Sequence, residues 1–293
     1  MTMNIGSYRF QLDDFECFCL SDGSMDYPLQ NFFANVPAPE IEAALREQNL
    51  PTDYITTPYT YLYVNTNEHQ VLVDMGAGRL GPRTGKLLQN MQAAGIKPDD
   101  IDTIVITHAH PDHIGGTLDD AGMPNFPNAH YFIGKTEWDF WFSDTAFANV
   151  PQAFVTIARQ NLEAIRERVK LIEREKELVP GIRAILAPGH TPGHIVVEVV
   201  SGEQRLLYIA DTVLHPLHLE HQDWLPIYDI VPEQAAVSKH AIFGRVAEQQ
   251  ALVVGQHFPP FPSLGFVVKS GKGWQWQPIT KEQLNPSLEP HAE

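Results

Sequence analysis

Short apolar stretches bounded by Gly, Pro, Asn or Asp recur along the chain, between segments whose apolar residues return every three or four positions. The first pattern predicts β-strands and the second amphipathic helices. Strands are expected at residues 15–20, 61–64, 71–74, 103–107, 129–133, 183–187, 195–200, 206–210 and 251–254. Helices are expected at 40–48, at 83–94 with Gly95 closing the last turn, at 152–168, and at 233–249 behind Pro232. In the third helix Phe154, Ile157, Ala158, Ile165 and Val169 recur at helical spacing and read as a core-facing stripe without chemistry. No flexible linker, charge block or repeat divides the chain, so residues 1–293 read as a single domain. The Pro- and aromatic-rich stretch 26–61 reads as a long loop or arm, and 284–293 as a frayed tail.

Composition then removes several function classes. A chain of 293 residues that is 43% apolar can bury a large core, so it needs neither a disulfide framework nor a metal to fold. Its 20 Lys and Arg stand against 36 Asp and Glu, a net charge of −16 that repels phosphates and disfavours a nucleic-acid partner. No apolar run approaches the roughly 20 residues of a membrane span. The first residues lack a basic region followed by an apolar core, so no export signal is read and a cytoplasmic protein is expected. Cys17 and Cys19 sit two apart on a predicted strand, and read as buried thiols rather than as a disulfide or half a zinc site.

The chemistry begins at TIVITHAHPDHIGG. Extended backbone at the end of strand 103–107 sends His108 and His110 to one side, where both can meet one cation. Pro111 then turns the chain, so that Asp112 and His113 leave in another direction toward a second cation nearby. Imidazole and carboxylate are the ligands a zinc-like ion prefers. Further downstream, APGHTPGH carries His190 and His194 just before another strand, YIADT puts Asp211 at a strand end, and VGQH puts His257 at a third. Polar ligands at the ends of several apolar strands describe a site on the rim of a sheet.

HAHPDH, APGHTPGH, the Asp of YIADT and the His of VGQH together resemble the metallo-β-lactamase superfamily, over about residues 59–266. The resemblance implies an α/β protein, an αββα sandwich of two mixed sheets flanked by helices, with two divalent metal ions at one edge. Zinc is the first choice, and Mn, Fe or Co accept the same ligands. Carried over position by position, His108, His110 and His194 hold the first metal, Asp112, His113 and His257 the second, and Asp211 bridges them together with a hydroxide. His190 is expected to fix the loop rather than to ligate. Asp74, closing strand 71–74, is expected to accept hydrogen bonds from the backbone or from a ligand histidine.

Within the superfamily, the missing helical extension after His257 argues against glutathione thiolesterases, and the acidic surface against the nucleases. GQHFPPFP and KTEWDFWFSD resemble the lactonase and methyl parathion hydrolase branch. One departure stands out: Leu214 occupies the position, three after the bridging Asp, where quorum-quenching lactonases of the superfamily carry Tyr. A hydrolase acting on a neutral apolar ester, lactone or phosphotriester is expected, with Asp112 passing a proton to the leaving group. A single-iron persulfide dioxygenase and a thiolesterase are the alternatives. The small-molecule substrate is expected to meet aromatic walls: Trp141, Phe142, His215 and Phe258 first, with Phe32, Phe33, Trp138 and Phe261 beside them. A homodimer is an open expectation.

Overall fold

The structure, a computed structural model, describes residues 6–271 and 273–280. Its strands form two seven-stranded sheets, ordered β1-β2-β3-β4-β5-β6-β7 and β14-β13-β12-β11-β10-β9-β8. The first comprises Ser7–Leu12 (β1), Phe15–Tyr27 (β2), Ile55–Asn65 (β3), Gln70–Val73 (β4), Thr103–Ile106 (β5), His130–Gly134 (β6) and Val169–Ile172 (β7). The second comprises Lys176–Val179 (β8), Ile182–Leu186 (β9), Ile195–Ser201 (β10), Gln204–Tyr208 (β11), Leu252–Val254 (β12), Leu264–Ser270 (β13) and Gly273–Pro278 (β14). Both are mixed: β4 to β7 run parallel and β11 pairs parallel with β12, while the other neighbours are antiparallel.

The helices are Leu29–Phe32 (α1), Ala38–Glu47 (α2), Leu87–Ala93 (α3), Pro111–Ile114 (α4), Lys135–Trp141 (α5), Asp144–Asn149 (α6), Gln152–Ile165 (α7), Leu217–Glu220 (α8) and Pro232–Gln249 (α9). Between the sheets lies one apolar layer, with Cys17, Cys19, Val64, Val73 and Val105 from the first sheet meeting Val197, Leu206, Tyr208 and Val254 from the second. On the outer face of the first sheet, Tyr61, Ile104 and Ile133 pack on α3, α5 and α7 through Met91, Trp141, Val155 and Leu162. On the outer face of the second, Val196, Leu207 and Val253 pack on Ile242, Phe243 and Val246 of α9. The expected αββα sandwich is the fold. Sheets covered on both faces also explain why the central strand TIVI is buried at every position rather than alternating.

Several expectations are corrected. Stretch 26–61 is no loop: it holds the end of β2, both α1 and α2, and the start of β3, and these helices enclose a satellite core around Phe33, Ile41, Leu45 and Trp224. The helix expected at 83–94 begins only at Leu87, because Gly85 stands at a φ of +79°. Strands β1, β7, β8, β13 and β14 lacked a readable pattern, being edge or near-edge strands with many polar or exposed positions. In α7 the buried stripe is Val155, Ala158, Leu162 and Ile165, which leaves Phe154 only half-buried on its margin. The tail 284–293 lies outside the described residues. Cys17 and Cys19 are buried free thiols, as expected, and burial pushes the Cys17 thiol up to about 12.

Candidate metal centre

The chemistry-bearing residues come from the same end of both sheets. After β5, the extended segment 107–110 presents His108 and His110, and Pro111 at the start of α4 turns the chain so that Asp112 and His113 ride on one helical turn. From the second sheet, the loop after β9 presents His190, a tight turn after β11 presents Asp211, and the loop after β12 presents His257. His108, His113, His190, His194, Asp211 and His257 are all buried.

Ligand atoms gather in two groups. In the first, His108 Nε2 lies 3.0 Å from His110 Nδ1, which lies 2.9 Å from His190 Nε2, and Asp211 Oδ2 is 3.2 Å from His190 and 3.8 Å from His108. In the second, Asp211 Oδ1 is 3.3 Å from His113 Nε2 and 3.2 Å from His257 Nε2, while Asp112 Oδ2 is 3.8 and 3.4 Å from the same two rings. Four ligands at zinc-like bond lengths of about 2.0–2.1 Å, arranged as a tetrahedron, stand about 3.4 Å apart. The observed separations bracket that edge. Moreover, His113 Nε2 and Asp211 Oδ1 are buried without any hydrogen-bond partner, an expensive arrangement unless a cation sits between them. The donor set therefore fits two divalent ions that share Asp211 through its two oxygens.

This arrangement overturns one assignment. His190, not His194, joins the first group. His194 has turned its ring away: Nδ1 donates to the Ala187 carbonyl at 3.1 Å, and Nε2 accepts the Asp211 backbone N–H at 3.2 Å. It steadies the turn that presents Asp211. His190 Nδ1 instead donates to Asp229 Oδ1 at 2.9 Å, a carboxylate 39 residues downstream that no local pattern pointed to. Such a carboxylate fixes which ring nitrogen is free to ligate. Asp74 behaves as expected, accepting from His113 Nδ1 at 2.7 Å and from the Thr107 N–H and hydroxyl at 2.8 and 2.7 Å.

Electrostatics match a cation site. Burial alone would lift the Asp211 carboxyl, but the His257 and His113 rings beside it hold it well below the usual range. Burial likewise opposes charge on His190 and His257, yet the carboxylates around them raise each to about 9. His110 falls to about 3, burial being the main cause.

Comparison with known proteins now adds weight. The model of the metallo-beta-lactamase superfamily matches residues 56–239, more than half of the sequence. The chain belongs to this superfamily. Among superfamily structures, it resembles AidC, described as a dizinc quorum-quenching lactonase in complex with a product, at 33% identity with a TM-score of 0.89, over 94% of this chain and 98% of that one. The hydrolase AbOPH is 28% identical, with a TM-score of 0.86 over the same shares. The N-acyl homoserine lactonase AiiA of Bacillus thuringiensis subsp. kurstaki is 23% identical over 235 residues, 71% of this chain and 84% of that protein.

Above the ligand groups lies a cavity of about 330 Å³, with His110, Asp112, His190, Asp211 and His257 in its lining. Its walls correct the expected ones. Met25, Tyr27, Pro28, Phe32, Phe154, Leu214 and Tyr228 line the cavity, with the Tyr228 ring edge-on to Tyr27 and Phe32. Of the expected aromatics only Phe32 lines it. Trp141 is fully buried behind the site, with its ring 5.7 Å from that of His110. Phe142 packs on Trp138, Phe258 packs on Trp276, and His215 is buried against Phe33. Phe261 lines a separate surface groove. Sequence reasoning missed Tyr27 and Tyr228. Tyr228, whose hydroxyl accepts from Asn31 Nδ2 at 2.8 Å, lines the same cavity as Leu214.

Proposed function

We propose that the protein is a dinuclear metal-dependent hydrolase whose substrate is a neutral, apolar lactone or ester, with phosphotriesters as a related class. The observation that carries this reading is the placement of Asp211, one oxygen in each ligand group, at the floor of a cavity whose walls are largely apolar. His108, His110, His190 and Asp211 would hold one ion, and Asp112, His113, His257 and Asp211 the other. Zinc is the proposed metal, on the strength of the imidazole and carboxylate donors and of the dizinc relative. Two such ions, when bound, lower the pKa of a shared water and polarise the substrate's carbonyl or phosphoryl oxygen.

The chain's own residues then orient and protonate. Asp229 and Asp74 keep His190 and His113 in the tautomers that leave Nε2 free. Phe32, Phe154 and Leu214 exclude water and receive the apolar part of the substrate. Asp112 is held ionised despite its burial, chiefly by His113 and His257, and lines the cavity. With Oδ2 turned to those rings, its Oδ1 is the atom that takes a proton from water and returns it to the leaving oxygen. Among the described residues no Lys or Arg lines the cavity, which disfavours glutathione thioesters and other anionic substrates.

A panel of acyl-substituted γ-lactones, aryl esters, phosphotriesters and glutathione persulfide, run beside elemental analysis, tests this. Two ions per chain and turnover of the neutral substrates are expected. A single tightly held iron with persulfide oxidation would overturn the reading.

A further inference from the structure

Glu137, on α5, is fully buried and touches no ligand atom, yet its carboxylate ties together the two loops that build the first ligand group. Oε1 accepts the backbone N–H of Ala109, the residue between His108 and His110, at 3.0 Å, and the Trp141 indole N–H at 2.6 Å. Oε2 accepts the Thr191 hydroxyl at 2.6 Å and the Gly193 N–H at 3.1 Å, both from the loop that carries His190. All four donors are neutral, and together they occupy the four lone-pair sites of a carboxylate. The loop also presses its backbone directly on α5: a Cβ at Gly193 would lie 2.0 Å from the Glu137 nitrogen. Trp141, held by the same carboxylate, stands edge-on to His110. One buried side chain thus sets the distance between the His108–His110 segment, from the first sheet, and the His190 loop, from the second.

We propose that Glu137 is a positioning residue that sets the affinity of the first metal group, and touches the second only through Asp211. The proposal rests on the two-metal reading above. None of its four donors belongs to the Asp112–His113 pair, which Asp74 and the turn of α4 hold, or to His257, so Glu137 reaches the second group only through the shared Asp211. Glu137→Gln keeps the volume but replaces one acceptor oxygen by an amide that can only donate. Whichever way the amide faces, it meets a backbone N–H, of Ala109 or of Gly193, and one loop is released.

The test is chelator competition against the zinc-loaded protein, read as two binding phases, with the phases assigned from a His257→Ala variant that cripples the second group. In Glu137→Gln the first-group phase should weaken by about 10–100-fold, the range found when a group that orients a ligand is removed. The second phase, reached only through Asp211, should weaken by clearly less. Thr191→Val, which removes a single hydroxyl, should shift the same phase by less and in the same direction, and it decides the matter if Glu137→Gln fails to fold. A general loss of stability would move both phases together, and that outcome overturns the proposal, as does wild-type affinity in both variants. A wild-type protein holding fewer than two ions would instead overturn the two-metal reading.

Discussion

Replacing His190 and His194 separately by Ala gives the sharpest test of the site, because the two residues share a loop and a chemistry but differ in what they touch. His190 supplies one of four donors to the first group. Structural zinc sites carry an apparent binding free energy of about 10–16 kcal/mol. Shared over four ligands, that is about 2.5–4 kcal/mol each, or two to three decades of affinity. His190→Ala should therefore release one ion on dialysis and leave the partly buried carboxylate of Asp229 without its 2.9 Å partner. His194→Ala removes no donor from either group. It strands the Asp211 N–H and the Ala187 carbonyl, now bonded to the ring at 3.2 and 3.1 Å. A buried group left unsatisfied costs about 1–3 kcal/mol, so this variant should unfold more easily while still binding two ions. Elemental analysis after dialysis, paired with thermal melting of the metal-free proteins, separates the two. If His194→Ala loses an ion and His190→Ala keeps both, the assignment drawn from the geometry is wrong.

Two further outcomes follow from the cavity and the core. Phe154→Ala opens the cavity wall and removes a ring edge-on to His110 but no metal-donor atom, so KM for an acyl-substituted lactone should rise about tenfold with metal content unchanged; an unaltered KM would remove Phe154 from the binding surface. His218 is buried, its Nε2 donates to the Phe32 carbonyl, and burial lowers its pKa to about 3. Because the unfolded chain takes up this proton near pH 6.5, the contribution of His218 to stability is complete above that pH and is lost as pH falls toward 3. Denaturant melts of the metal-free protein should therefore weaken less steeply with acid in His218→Gln than in the wild type, and equal slopes would count against a neutral buried His218.

Most of the candidate ligand groups could be picked out in the sequence because their members stand at the ends of strands whose apolar pattern is unambiguous. His108, Asp211 and His257 each follow such a run directly. His190 and His194 lie in one turn, and nothing in a run of GHTPGH says which ring faces a cation and which the backbone. The choice is made by Asp229 and by the carbonyl of Ala187, groups that a loop pattern cannot place. The aromatic walls failed for a related reason. An aromatic residue type does not reveal which face of its element is covered: α5 turns Trp138 and Trp141 into the core, while Phe154, on the margin of an apolar helical stripe, faces the cavity. Within residues 28–54 the helix expected at 40–48 was legible and is α2, whereas α1 was not, because it is a single turn.

The division of ligands between the sheets has a consequence for a chain made one residue at a time. The first sheet contributes His108, His110, Asp112 and His113, but both groups stay open until Asp211 has been added, and the second stays open until His257 follows. A nascent chain carrying only the first sheet has no closed cage with which to scavenge metal. Neither four-residue group is complete until nearly all of the sandwich has been made.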